Sequence, residues 1–456
     1  MLGVPLALLV AVHPMAPLAG ALLLLALPVI WWLAHRPLWL LGMYLILPAV
    51  LPPVSLGPIE VTILDALLVP SAIFLLLRGW QGLPFKADRL VCLFLLFIGL
   101  AAISTLNFIS HAWSFELGIF MRLIRLVEMI LPLLVISQLD SALLNRPLFL
   151  KVLFGTAIAT SLTGIFTFVT GFSVKGAAQT FIVNGVSSLR ANGFHGDSGS
   201  FGNFIGFSFV VALFTLIYRR ELGLSDDRLI GWLASGALGF CCLGLLLSLS
   251  RGGMVFAATG VLLALGVMAQ RPLHLLKMSV LLAACVGGIQ LFLAQFSELQ
   301  AITNLIPALL DKILGFTEFF TDFDAVSSNR TYYWAQAWEM ISASSFLLGH
   351  GYKALIAFYG LPPDNNFLGT FVEMGLLGLL TLLALLQHVV REALSMIRAG
   401  SYAVGMTLLA VWLGETTNMI SADVLTYWHN VPSLLIITYV LIHAKPVNGV
   451  QIRSLQ

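Results

Sequence analysis

The chain has 456 residues, 59% of them hydrophobic and 10% charged, with a formal net charge of +2 and a mean hydropathy of +0.99. Soluble domains carry about 25% charged residues. The composition therefore excludes a soluble enzyme, a nucleic-acid binder and a disordered scaffold, and predicts an all-α polytopic integral membrane protein.

A helix needs about 20 apolar residues to cross a bilayer. The first stretch, from Leu2 to Leu33, holds no Lys or Arg and no evident cleavage signal; it reads as membrane span rather than signal peptide. Apolar runs then centre on 17–34, 37–53, 62–78, 90–108, 116–138, 148–170, 201–218, 229–249, 253–269 and 274–296. After a long interruption they resume at 367–389, 403–422 and 430–444. Leu2–Val12 adds one short candidate, so about 12–14 transmembrane helices are expected, within a single transmembrane domain over 1–456. The runs are continuous rather than alternating, which favours helices over barrel strands. No internal repeat is evident. Cys92, Cys241, Cys242 and Cys285 all lie in apolar runs and are expected as buried thiols.

Cytoplasmic loops carry an excess of Lys and Arg. If Arg219, Arg220 and Arg228 face the cytoplasm, alternation puts fifteen of the 23 basic residues on that side. Six fall outside: Lys175, Arg190, Arg251, Lys312, Arg330 and Lys353. The remaining two, Arg122 and Arg125, lie within a span. The short cytoplasmic loops leave no room for a domain, so any chemistry belongs to the outer face. Two outer segments are long, from about Gly171 to Ser200 and from Ser297 to Asn366. Within the second, Ile302–Phe320 and Tyr332–Leu348 read as helices that lie in the membrane interface.

Three outer arginines stand among small or polar residues. Arg190 is in Leu189-Arg190-Ala191-Asn192-Gly193-Phe194-His195, Arg251 in Ser248-Leu249-Ser250-Arg251-Gly252-Gly253, and Arg330 in Ser328-Asn329-Arg330-Thr331-Tyr332. Guanidinium groups bind phosphate oxygens through two-pronged hydrogen bonds; equally, they snorkel to lipid headgroups or pair with acids. Arg122 and Arg125, with Glu128 three residues on, are either an Arg125–Glu128 pair at helical spacing or a polar wall of a substrate cavity. Asp364, in Pro362-Pro363-Asp364-Asn365-Asn366-Phe367-Leu368, is either the N-cap of the following helix or a general base beside the arginines. Glu373 reads as a buried structural acid. His195, His350 and His429 lie on or near the outer side without metal-ligand spacing. No metal or cofactor is expected. Nor is there an Asp-x-Asp pair, a phosphate-binding Gly-rich loop or a serine nucleophile elbow in a suitable outer position.

In this order, four motifs resemble the O-antigen ligase and polymerase superfamily of bacterial envelope glycosyltransferases. They are Arg190-Ala191-Asn192-Gly193-Phe194; Leu249-Ser250-Arg251-Gly252-Gly253; Asn329-Arg330 with Trp334, Trp338 and Leu348-Gly349-His350-Gly351-Tyr352; and Asp364-Asn365-Asn366-Phe367-Leu368 with Phe371, Glu373 and Gly375. The resemblance covers about residues 150–390.

It implies a GT-C-like membrane fold with a large periplasmic loop at 297–366. It also implies a saccharide donor linked to undecaprenyl pyrophosphate, used at the periplasmic face of the bacterial inner membrane without a metal. An acceptor hydroxyl attacks the anomeric carbon and the lipid pyrophosphate leaves. By motif, Arg190 and Arg330 would hold the pyrophosphate, with Arg251 a further ligand or a shaper of the turn. Arg122, Arg125, His195, Asn365 and Tyr332 would line the substrate site, and Asp364 would take the acceptor's proton. Ligases of the family carry a His where this chain has Asp364. That departure favours a polymerase that joins lipid-linked repeat units over a ligase that transfers polymer to lipid A-core. Implied partners are membrane lipids, the lipid-linked oligosaccharide, an acceptor glycan or lipid A-core, and a chain-length regulator or flippase, with no nucleic acid. A flippase or transporter would instead place its polar groups near the midplane, on broken helices in repeated halves.

Overall fold

The computed structural model describes residues 26–52, 54–56, 59–61, 64–79, 88–112, 117–172, 180–183, 186–268, 330–341, 345–358, 360, 364–420 and 422–444. The expected spans at Leu2–Val12 and 274–296, the interfacial helix at Ile302–Phe320 and Cys285 lie outside these residues. The architecture is α-helical. Helices α1 (Ala26–Ala34) and α2 (Pro37–Val50) meet at a bend of 119°. Proline at the first position of α2 supplies no N–H, so it starts a helix and does not continue one. There follow α3 (Val69–Gly79), α4 (Arg89–Ala112), α5 (Leu117–Ser137), α6 (Arg146–Thr170), α7 (Ser198–Ile217), α8 (Arg228–Ser248) and α9 (Arg251–Met268). Past the long outer segment come α10 (Arg330–Glu339), α11 (Ala354–Phe358), α12 (Asn366–Arg398), α13 (Tyr402–Met419) and α14 (Val431–His443).

Six helices among the described residues are long and apolar enough to cross a membrane, or seven if the bent α1–α2 pair is one span. Others have the length but carry polar groups: α5 holds Arg122, Arg125 and Glu128, and α13 holds Glu415 and Asn418. Two short antiparallel hairpins depart from a purely helical reading: β1 (Val54–Leu56) with β2 (Ile59–Val61), and β3 (Thr180–Val183) with β4 (Val186–Leu189). The second falls in the Gly171–Ser200 segment, where Thr180, Ile182, Val183 and Val186 are β-branched and suit a strand.

Helix α7 is the central post. Apolar side chains lie on all its faces, with a few small polar ones such as Asn203 among them, which suits a helix enclosed by others, and 89% of its membrane window is buried. Helix α9 lies against it by backbone approach. A Cβ at Gly253 would overlap the carbonyl of Gly202, and one at Gly206 would come within 2.8 Å of the Gly253 oxygen. Small residues at such a crossing let van der Waals packing act where lipid removes the hydrophobic drive. Polar glue joins α7 to α13: Asn203 donates to Glu415 at 3.4 Å and accepts from Asn418 at 3.0 Å.

Helix α12 is interrupted at Gly375, whose φ of 68° and ψ of −168° are not helical. The break frees backbone groups that lipid cannot satisfy. The segment 345–351 satisfies them. His350 N donates to Val372 O at 2.9 Å, Gly351 N to Glu373 O at 2.8 Å, and Leu376 N to Phe346 O at 2.8 Å. Ser104 of α4 completes the knot, donating to Glu373 O at 2.6 Å and accepting from Gly351 N at 3.0 Å. This short segment of the outer loop is thus stitched into the broken span, and it carries Lys353 with it.

The cysteines divide by position. Cys241 is buried and Cys242 half-buried, but Cys92 is exposed on the flank of α4. An apolar run in a membrane chain supplies lipid-facing surface as well as interior, so hydropathy did not distinguish the two.

Candidate functional site

Each of the three outer arginines is placed by the end of a helix. Helix α8 ends in Leu249, which takes the left-handed conformation with φ 51°. Its last carbonyls receive Arg190, whose Nε donates to Ser248 O at 2.9 Å and Nη2 to Leu249 O at 3.1 Å. Hairpin β3–β4 delivers Arg190 there, and Ala191 N anchors the strand end to Leu247 O at 2.9 Å. A cation on orphan C-terminal carbonyls is favourable for the helix. Arg190 therefore has a structural duty that the motif alone did not reveal. Two residues past Leu249, Arg251 heads α9, where the sequence suggested a tight turn. Arg330 heads α10.

These cations share one neighbourhood. Burial, and then the charge of Arg251, lower the pKa of Arg190 below the usual arginine value. Arg251 is in turn within electrostatic reach of Arg330. Arg330 Nε meets Asp364 Oδ2 at 3.3 Å. Asp364 stands just before α12 with φ 40°. It does not cap that helix. Asn365 does, its side-chain oxygen accepting from Phe367 N and Leu368 N at 3.0 Å each. Capping by Asn365 occupies the residue that the motif suggested for substrate, and leaves Asp364 for the arginine. Tyr427 lies among these groups. Burial raises its phenol well above the ordinary tyrosine value, and Asp197, Asp423 and Asp364 raise it further. Tyr332, on the first turn of α10, is 61% exposed and packs edge-on against Tyr333 with centroids 5.7 Å apart.

The other expected site residues sit deeper. Arg125 grips both oxygens of Asp65 at 2.6 and 3.1 Å and reaches Glu128 at 2.9 Å. It also lies 5.6 Å from the Trp428 ring centroid. The helical-spacing pair is present, joined by an acid from outside α5 that sequence spacing could not supply. Arg122 donates to the Lys353 carbonyl at 3.1 Å. Arg125 is thus held by two acids, and Arg122 is tied to the main chain of Lys353.

His195 is 1% exposed, so it does not line an open substrate site. Its ring stacks on His429 with centroids 4.4 Å apart and planes 17° apart. Ser200 Oγ lies 3.3 Å from Nδ1 of both rings. Burial pushes the His195 imidazole down to about 3, so it is neutral at physiological pH. Below about pH 6.5 the unfolded chain takes up a proton that folded His195 refuses. Stability should then fall by about 1.4 kcal/mol per pH unit down to about pH 3. Thermal unfolding in detergent between pH 7.5 and 4.5 checks this: as the pH falls, the wild type should lose stability relative to His195→Gln.

Sequence reading passed over a second set of polar residues. Lys353 is 5% exposed; its Nζ lies 2.6 Å from Asp423 Oδ2 and 3.6 Å from Glu373 Oε2. Burial lowers its pKa, but the two carboxylates outweigh that and hold the ammonium above the usual lysine value. Asn366 donates to Asp423 Oδ1 at 2.8 Å and accepts from Val424 N at 2.7 Å. The available signal was one lysine flanked by Gly351, Tyr352 and Ala354; its acid partner is 70 residues away. Among the described residues no group of three His, Cys, Asp or Glu side chains is placed to hold a metal ion.

Residues 236–383 match a family model described as O-antigen ligase. Over that segment the chain is similar to the O-antigen ligase family. The match contains Arg251, Arg330, Asp364, Glu373 and the break at Gly375. Arg190, Tyr427 and Asp423 lie outside it and are brought to the same place by the fold. No curated protein matches the chain. The apolar helices are those of a multi-pass membrane protein.

Proposed function

We infer that the protein is a polysaccharide polymerase. It would join repeat units linked to undecaprenyl pyrophosphate at the periplasmic face of the bacterial inner membrane. The observation that carries this reading is the convergence of Arg190, Arg251 and Arg330 with Asp364 at one end of the bundle. Like charges gathered in a partly buried place repel one another, and a polyanionic ligand relieves the repulsion. A pyrophosphate leaving group develops charge as its bond to the anomeric carbon breaks. Fixed guanidinium groups stabilise that charge without reorganising.

The bookkeeping of the step is simple. The acceptor oxygen forms the new bond to the anomeric carbon. The old bond's electron pair leaves with the lipid pyrophosphate. The acceptor's proton passes to Asp364. Arg330 holds Asp364 through Nε, and a guanidinium has five N–H donors in all, so one side chain can orient the base and meet a phosphate oxygen. Exposed Tyr332 offers a ring face to a sugar at the mouth of the site.

Purified protein incubated with lipid-linked repeat units, with and without lipid A-core, tests the reading. A ladder of glycan from repeats alone is the expected result. Product that requires lipid A-core would establish a ligase. Movement of the lipid-linked glycan across vesicles with no new glycosidic bond would overturn the enzymatic reading.

A further inference from the structure

Asp364 follows residues 361–363, and its own conformation is left-handed with φ 40°. That region is uncommon for residues with a Cβ, although Asp and Asn tolerate it better than most. Among the described residues, the contacts around it lie on the helix side. Asn365 is spent on the α12 cap. Asn366, 2% exposed, clamps the 423–424 turn with both ends of its amide. The other oxygen of Asp423 is taken by Lys353 at 2.6 Å. Lys353 is itself fixed at both ends: its carbonyl accepts from Arg122 on α5, and its ammonium also faces Glu373 at the broken turn of α12. Two cations, Lys353 and Arg122, thus balance two acids, Asp423 and Glu373. A continuous chain of contacts leads from α5 through Lys353, Asp423 and Asn366 to the turn that carries Asp364.

We propose that Lys353 and Asp423 are positioning residues of the transfer reaction, their buried ion pair acting through Asn366 to hold Asp364 against Arg330. This rests on the functional reading above. A buried ion pair is a poor source of stability, because desolvation offsets most of the attraction, and apolar residues of similar volume often serve as well. What such a pair does provide is direction. The ammonium accepts only a narrow set of arrangements of its two carboxylates, and Asn366 passes that arrangement two residues along to Asp364. Transfer needs the base near the attacking hydroxyl, and a misplacement of about 1 Å costs about 100-fold in rate.

The experiment uses the full chain in nanodiscs with an undecaprenyl-pyrophosphate-linked repeat unit. Asp423→Asn and Lys353→Met should each lower kcat about 30- to 100-fold. KM for the donor should stay within about threefold, since Arg190, Arg251 and Arg330 are unchanged. If the two residues act as one unit, the double variant loses no more than the worse single. Asn366→Ala removes the bridge without stranding a buried charge, so it reports even if the charge variants fail to fold; a kcat loss of about tenfold at constant KM is expected. Unchanged kcat in Asn366→Ala, or a rise in KM with kcat kept, overturns the proposal. Wild type that forms no glycosidic bond would refute the functional reading instead. The positioning claim is then decided by labelling Asp364→Cys with a charged maleimide. Labelling at least about fivefold faster when Asn366→Ala is added supports it, and equal rates overturn it.

Discussion

Arg330→Ala is expected to lower kcat/KM by about 10²–10³-fold, the usual cost of removing one preorganised donor from developing negative charge. Two losses combine. On the proposed reaction the leaving pyrophosphate loses a fixed cation, and Asp364 loses the partner 3.3 Å away that aims it. The side chain of Arg330 is 25% exposed, so the substitution opens no deep cavity, and the folded protein should be recovered in normal yield. Arg330→Lys keeps the charge but not the flat two-pronged donor set, so it should restore only part of the rate. Turnover of lipid-linked repeats by the purified variants, beside their size-exclusion profiles, is the measurement. Near-normal turnover by Arg330→Ala would remove Arg330 from the site. The comparison with Arg190 is informative, because Arg190 also holds the end of α8. Its alanine variant should lose folded protein as well as activity.

The second large effect is structural. Gly375→Ala should prevent stable assembly. The φ of 68° with ψ of −168° falls in a region open in practice to glycine alone, and occupying it with another residue costs about 1–3 kcal/mol. The added Cβ would also overlap the backbone of Leu347 and Leu348. A clash with main chain is not relieved by rotating a side chain, and here the main chain is pinned by Phe346 O and Leu347 O accepting from Leu376 and Leu377. Gly349 meets the same knot from the other side, where a Cβ would overlap the backbone of Glu373 and Met374. Expression level and thermal midpoint of Gly375→Ala in detergent test this. A variant with wild-type midpoint and yield would show that the break in α12 does not need the interlock.

The candidate site residues could be singled out from local sequence. Arg190, Arg251, Arg330 and Asp364 stood out because charge is scarce in this chain and each lay among small or polar residues. What local sequence could not give was pairing. Asp364 was the expected cap of α12, and only the folded backbone, with its positive φ at 364, directs the cap to Asn365. Arg125 had an evident partner at Glu128, while its closer partner Asp65 lies on another element. His195 looked available for substrate because it follows the Arg190 motif, yet the stacking that buries it comes from His429, far along the chain.

The sequence by itself determined that this is a helical membrane protein, where most of its described spans begin and end, and which scarce polar residues stand out at the helix ends. Hydropathy and helix-end chemistry are short-range properties, read over windows of one helix or one cap. Tertiary structure alone decided how those residues are used: the broken turn at Gly375, the stitching of 345–351 into it, and the Lys353–Asp423–Asn366 chain behind Asp364. Each of these depends on which distant groups satisfy a buried donor, acceptor or charge. Inside a membrane, with no water to do so, that choice is made by the packing of helices and not by neighbours in sequence.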